Sequence, residues 1–271
     1  MTTSTLIETR LENGVMVITI NRPEKRNALN PEMIVRLADA WQEFRESRAA
    51  RVAVLTGAGS QQFCAGADLK SLEPLVSGHK PPQDTWDERV LADPRMIYKA
   101  VLYGVEMDKP VIAALNGDAL GGGAELMLAT HLRVAAAGSR IGLPEARWST
   151  VPAGGGMMRL PRQIPFAQAM ELLLTADPIA VETAQAMGLI NRVVPAERVL
   201  EEALALAARV AENGPLALAA ILQVTRRTAA LGLEEAQKLE AEIIKPVFTS
   251  KDIVEGMAAF AEKRKPDYQG E

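Results

Sequence analysis

Three consecutive glycines, Gly121-Gly122-Gly123, stand directly before an apolar run, Ala124-Glu125-Leu126-Met127-Leu128-Ala129. Glycine at a helix start lets the backbone approach a ligand closely, and the first helical turn presents free N–H groups and the positive end of the dipole. Such donors suit negative charge that develops on an oxygen during a reaction. A second small-residue turn, Cys64-Ala65-Gly66-Ala67-Asp68-Leu69, is expected to be exposed and to follow a strand, where it could supply another N–H. Two carboxylates accompany these turns: Glu125 itself, and Glu145 in Gly142-Leu143-Pro144-Glu145-Ala146. Facing one pocket, their mutual repulsion and desolvation would raise at least one pKa and couple their titrations. Such a pair can hold a water and handle protons on both sides of a double bond. A plainer reading covers the same residues: two tight turns packed together, with Glu125 a solvent-facing acid in a first helical turn.

Other chemistries find less support. Gly57-Ala58-Gly59-Ser60 resembles a dinucleotide-binding turn, but Gln62 occupies the place of the third glycine, so a strand-end turn is the simpler reading. A nicotinamide-dependent oxidoreductase would have to be built on that turn. Gly154-Gly155-Gly156, ahead of Met157-Met158-Arg159-Leu160, reads as a flexible helix start. There is no Gly-Lys-Ser/Thr for a phosphate loop and no Gly-x-Ser-x-Gly for a nucleophile elbow. Two histidines, His79 and His131, leave little room for a zinc site or a histidine-based triad, and no metal site is expected. The single cysteine cannot form an internal disulfide.

The elements that must position these residues can be read along the chain. Its 271 residues, 48% hydrophobic and 24% charged, have the composition of a folded soluble protein and not of a disordered one. A net charge of −4 speaks against a nucleic-acid partner. No apolar run reaches the roughly 18–20 residues of a membrane span. The segment Met1-Thr2-Thr3-Ser4-Thr5 lacks signal-peptide features, so a cytoplasmic location is expected. Leu6–Leu11 and Val15–Ile20 flank Asn13-Gly14 and predict a hairpin. Asn30-Pro31-Glu32 predicts a helix start, with apolar spacing carrying the helix to about Arg48. Val52–Thr56, Val111–Leu115, Leu132–Ala136 and Ile190–Val194 read as buried strands alternating with helices, hence an α/β core with largely parallel pairing. Ser71–Pro94 is expected to be irregular, with Ser77–Pro82 an exposed loop. Residues 1–195 form the expected core. Residues 196–271 form a helical region with helices over Val199–Ala211, Leu216–Ala229, Leu233–Ile244 and Ile253–Lys263, broken at Gly214-Pro215, Gly232 and Pro246.

Taken together, Ala65-Gly66-Ala67-Asp68-Leu69, Asn116-Gly117-x-Ala119-Leu120-Gly121-Gly122-Gly123-x-Glu125-Leu126 and Pro144-Glu145 with Val151-Pro152 and Gly155-Gly156 resemble the crotonase (enoyl-CoA hydratase/isomerase) superfamily. The likeness runs from Asn21-Arg22-Pro23-x-x-Arg26-Asn27-Ala28-Leu29 to Glu255-Gly256-Met257-x-Ala259-Phe260-x-Glu262-Lys263-Arg264. It implies a spiral of ββα turns with a helical C-terminal region, assembled as trimers or paired trimers. It also implies an acyl-CoA thioester substrate whose coenzyme A is part of the substrate, with no separate cofactor.

By the same resemblance, the N–H groups of Ala67 and Gly122 would hold the thioester oxygen. Arg26, Ala28, Ala65, Asp68, Leu69, Gly121 and Pro144 would line the substrate, while Phe260 and Lys263 would complete the CoA site, often that of a neighbouring subunit. Glutamates at positions 125 and 145 are similar to those of hydratases, in which Glu125 would activate water and Glu145 would protonate Cα. Isomerases commonly keep only the second. The C-terminal helices are also similar to the carnitinyl-CoA dehydratase branch. A double-bond isomerase and a non-catalytic acyl-CoA-binding member stand as alternatives.

Overall fold

A computed structural model describes residues 5–271, so Met1-Thr2-Thr3-Ser4, read above for targeting features, lies outside the described residues. Strands β1 (Ile7–Glu12) and β2 (Val15–Ile20) form the expected antiparallel hairpin. Asn13 and Gly14 turn it with φ of 49° and 78°, the pair of positive values that matches the strand twist. Helix α1 (Pro31–Glu46) starts where the sequence places it, with the Asn30 side chain accepting from the Met33 N–H and Pro31 in the first position.

There follow β3 (Val52–Gly57), β4 (Gln62–Cys64), α2 (Leu69–Val76), α3 (Thr85–Ala92), α4 (Met96–Ala100), β5 (Val111–Leu115), β6 (Asp118–Leu120) and α5 (Gly122–Leu128). Next come β7 (Leu132–Ala136), β8 (Arg140–Gly142), a 3-10 turn over Pro144–Trp148, α6 (Gly156–Gln163), α7 (Phe166–Thr175), β9 (Ile179–Ala180), α8 (Val181–Ala186) and β10 (Arg192–Val194). Helices α9 (Val199–Ala211), α10 (Pro215–Thr228), α11 (Leu233–Phe248) and α12 (Lys251–Glu262) close the chain.

The strands make two sheets, ordered β1-β2-β3-β5-β7-β10 and β4-β6-β8-β9. From β2 onward the first is parallel, and β4, β6 and β8 of the second are parallel too. Each long strand is followed by a short one in the other sheet (β3 by β4, β5 by β6, β7 by β8), so the chain climbs in a loose spiral. The apolar run of β3 splits by alternation: Ala53 and Leu55 join the large core with α1, while Val52 and Val54 meet Val199, Ala203 and Ala207 of α9. Burial on both faces explains why these strands read as continuous apolar words.

Two expectations are corrected. The segment Ser71–Pro94 is mostly helical, because Leu72, Leu75 and Val90 bury themselves and Asp84 caps α3 by accepting from the N–H groups of Trp86 and Asp87; only the stretch around Ser77–Pro82 is the expected exposed loop. Pro246 does not break α11, which packs along α10 and continues to Phe248. Among the described residues no single helix is long and apolar enough to cross a membrane.

Candidate active site

Parallel pairing of β4, β6 and β8 sets their C-terminal ends side by side. From those ends emerge Ala65-Gly66-Ala67, Gly121-Gly122 at the start of α5, and Leu143-Pro144-Glu145. Three strands of three residues each therefore gather segments spread over some eighty positions of sequence. They border a cleft of about 520 Å³ lined by Ala65, Ala67, Leu69, Gly121, Gly122, Glu125, Pro144 and Glu145, with Ile97, Tyr98, Val101, Trp148 and Val151 among its apolar walls.

The first two turns do pack together, and in doing so they leave two donors free. The Leu29 N–H donates to the Gly66 carbonyl at 2.8 Å and the Asp68 N–H to the Leu29 carbonyl at 2.9 Å, and the Ala67 N–H between them has no acceptor among the described residues. Gly121 adopts φ 54°, ψ −128°, a conformation open to glycine. Its N–H donates to the Gly142 carbonyl at 2.9 Å, while the next N–H, that of Gly122, begins α5 and lacks an acceptor among the described residues. A Cβ on Gly66 would meet the Gly122 nitrogen at 2.8 Å, and one on Gly122 would lie 3.8 Å from the Ala67 nitrogen. Both donors thus belong to one small patch of the cleft wall.

The second turn is exposed at Ala67 and Leu69 as expected, but Cys64, the last residue of β4, is not. Its thiol is fully buried, donates to the Asn27 carbonyl at 3.3 Å, and is pushed up to about 12 by burial. Small residues surround it because Gly123 has no room: a Cβ there would meet the Cys64 carbonyl oxygen at 2.1 Å.

Glu125 is buried, not solvent-facing. Its Oε1 accepts from the Gly156 N–H at 2.9 Å. Burial pushes its pKa up to about 7; the charge of Glu145 adds to the rise, and the Gly156 and Gly154 backbone and Arg159 oppose it. Glu145, half-buried on the 3-10 turn, is also raised by burial, and its Oε2 is buried without a hydrogen-bond partner. The Gly154-Gly155-Gly156 run, read from sequence as a flexible helix start, is a cradle. A Cβ on Gly154 would lie 2.6 Å from Glu125 Oε2, and one on Gly156 would lie 3.2 Å from Oε1. The glycine run is visible in the sequence, but the contact of Gly154 and Gly156 with Glu125 is not.

The remaining expected site residues fall elsewhere. Asp68 pairs with Arg22 at 2.7 Å, and Arg22 also donates to the Ala28 carbonyl at 3.1 Å, pinning the segment that carries Ala67. Arg26 is exposed in a left-handed turn at φ 55°. Phe260 and Lys263, on the exposed surface of α12 and at its end, do not line the cleft of their own chain. The Gly57 turn is no dinucleotide site: a Cβ there would meet Asn27 Nδ2 at 2.7 Å and Asn116 Oδ1 at 2.8 Å, and the chain goes on into β4 instead of a helix.

The spiral of two sheets with a helical C-terminal region is the fold of the crotonase type. A family profile described as enoyl-CoA hydratase/isomerase matches residues 10–271, and the chain belongs to that family. It is 42% identical over 264 residues to enoyl-CoA hydratase EchA19 of Mycobacterium tuberculosis, covering 97% of this chain and 96% of that one. It is 36% identical over 261 residues to carnitinyl-CoA dehydratase of Proteus mirabilis, covering 95% of each. Among solved structures, enoyl-CoA hydratase EchA1 from Mycobacterium marinum superposes with a TM-score of 0.88 at 38% identity, over 99% of this chain and 100% of that chain.

Proposed function

We propose that this protein is an enoyl-CoA hydratase, adding water reversibly across the 2,3 double bond of an acyl-CoA thioester. The observation that carries the reading is the presence of two carboxyls, the buried Glu125 and the half-buried Glu145, in the cleft that also holds the acceptor-free N–H groups of Ala67 and Gly122. These two donors grip the thioester oxygen. Glu125, poised near neutrality, removes a proton from a water as the water oxygen bonds to Cβ. The π electrons move onto the thioester oxygen, where the two N–H groups stabilise the enolate-like charge. Glu145, with an unpartnered Oε2 that favours its neutral form, delivers a proton to Cα. Exchange with solvent then resets the pair, and dehydration runs the same steps backwards. Coenzyme A enters as part of the substrate, so the proposal includes no separate cofactor.

The reading extends to a homo-oligomer, a trimer or a pair of trimers. Phe260 and Lys263 lie outside their own cleft, and α12 exposes Val254, Met257 and Phe260 on one side, an apolar row suited to another copy. In the assembly this helix completes a neighbour's CoA site.

The test is hydration of a short enoyl-CoA, followed by loss of the conjugated thioester's ultraviolet absorbance. Glu125→Gln and Glu145→Gln are each expected to lower turnover by about 10²–10⁴-fold, with the double variant little worse than the poorer single one. An isomerase would depend on Glu145 and tolerate Glu125→Gln. A binding protein would show no turnover at all, yet keep its affinity for the thioester.

A further inference from the structure

The tri-glycine run beside Glu125 serves two charged groups, and the second of them has no part in the chemistry described so far. Gly154 and Gly156 give way to the Glu125 carboxylate, whereas Gly155 gives way to Arg159: a Cβ there would lie 2.6 Å from Arg159 Nη1, and its φ of 110° already favours glycine. The guanidinium turns back from α6 over this loop. Its Nη1 donates to the Gly154 carbonyl at 3.0 Å and its Nη2 to the Leu102 carbonyl at 2.6 Å. Leu102 is itself held at φ 55°, just beyond α4 and next to Val101 of the cleft wall.

Arg159 therefore staples the glycine cradle to the end of α4. Both hydrogen bonds go to backbone carbonyls, no carboxylate among the described residues forms a salt bridge with the guanidinium, and Glu125 and Tyr103 are the acids that feel its charge. A planar fork can bind two divergent carbonyls at once, which a lysine cannot reproduce.

We propose that Arg159 is a positioning residue for Glu125, fixing with its two hydrogen bonds the Gly154–Gly156 cradle that holds the carboxylate. This rests on the reading of Glu125 as the base. The charged and titratable groups around Glu125 are Glu145 from the 3-10 turn and Arg159 from α6, with Tyr103 and Arg133 next to Arg159 in turn. Glu145 and burial push the Glu125 pKa up, and Arg159 pushes it down. Removing the cation therefore makes the base hold its proton to higher pH.

The experiment compares Arg159→Met, which removes both donors and charge, with Arg159→Lys, which keeps the charge and loses the fork. In Arg159→Met the acidic limb of kcat/KM is expected to move to higher pH. The plateau also falls. In Arg159→Lys the limb stays in place while the plateau of kcat drops, and KM stays near that of the unaltered protein in both variants, since Arg159 does not line the cleft.

The Glu125 carboxyl is titrated in parallel by ¹³C resonance in carboxyl-labelled protein, assigned with Glu125→Gln. That titration needs no turnover. If hydration survives Glu125→Gln, the reading of Glu125 as base fails, and the titration still decides what Arg159 does to the carboxyl. An unmoved Glu125 titration in Arg159→Met overturns the role of the charge, with Arg159→Gln substituting if the methionine variant does not fold. An unaltered kcat plateau in Arg159→Lys overturns the staple.

Discussion

Glu125 and Glu145 meet the same cleft on unequal terms: the first accepts a 2.9 Å hydrogen bond from the Gly156 N–H, while the second keeps a buried oxygen with no partner. Both are raised by burial, so each prefers its proton in the folded chain more than in the unfolded one. Their stabilising contribution is fully present below the ordinary carboxylate range and is lost as pH rises through the folded values.

For Glu125 the window runs from the ordinary 4.5 up to about 7. A shift of that size corresponds to about 3 kcal/mol by linkage. Glu125→Gln, which cannot ionise, is therefore expected to melt several degrees above the unaltered protein at pH 8 and to lose that advantage at pH 4. Calorimetry at the two pH values checks it. A variant less stable than its parent at pH 8 would contradict the burial argument.

Adjacent glycines should respond in opposite ways. A Cβ on Gly122 meets only ordinary contacts, the nearest being Gly66 Cα at 3.4 Å, yet it lies beside the Ala67 N–H. Gly122→Ala should fold and melt near the parent temperature, with hydration reduced by at least about 10²-fold, because the methyl occupies the place of the thioester oxygen.

Gly123→Ala drives its methyl to 2.1 Å from the Cys64 carbonyl oxygen, which is backbone and cannot step aside. Overpacking of a dense core costs typically about 1–3 kcal/mol, and a backbone clash lies at or beyond the upper end. Expression of soluble Gly123→Ala with a parental melting temperature would show that α5 and β4 are less tightly joined than described.

Assembly offers an independent test. Phe260 is 84% and Met257 69% exposed in the single chain, so sedimentation should find a trimer or hexamer. Phe260→Asp should weaken the assembly and, by the proposed sharing of the CoA site, raise KM more than it lowers kcat. A stable, fully active monomer would contradict the proposal.

Local signals made much of this legible in sequence. Asn13-Gly14 specified its turn, Asn30-Pro31 its cap, and β3 and β5 announced themselves because burial on both faces leaves a run of apolar residues, while β7 kept enough of that pattern around Arg133 to be read. The second sheet stayed hidden because β4, β6 and β8 have three residues each, too few for any periodicity to show. Yet those strands bring the site together. Glu125 could be read as solvent-facing since a helix pattern does not say what crosses its start; only the fold puts Gly154 and Gly156 there. Pro246 misled for a related reason, since packing of α11 against α10 overrides a local helix breaker.

Cys64 is the chain's sole cysteine, and its thiol, enclosed and held at about 12, carries almost no thiolate at neutral pH. Maleimides and iodoacetamide, which attack the thiolate, should pass it by. The protein is thus ready for site-specific labelling without first removing a native thiol. A cysteine introduced on the exposed side of α12 would carry a spin label or fluorophore alone, and distances between labels on separate copies would test the proposed assembly directly in solution.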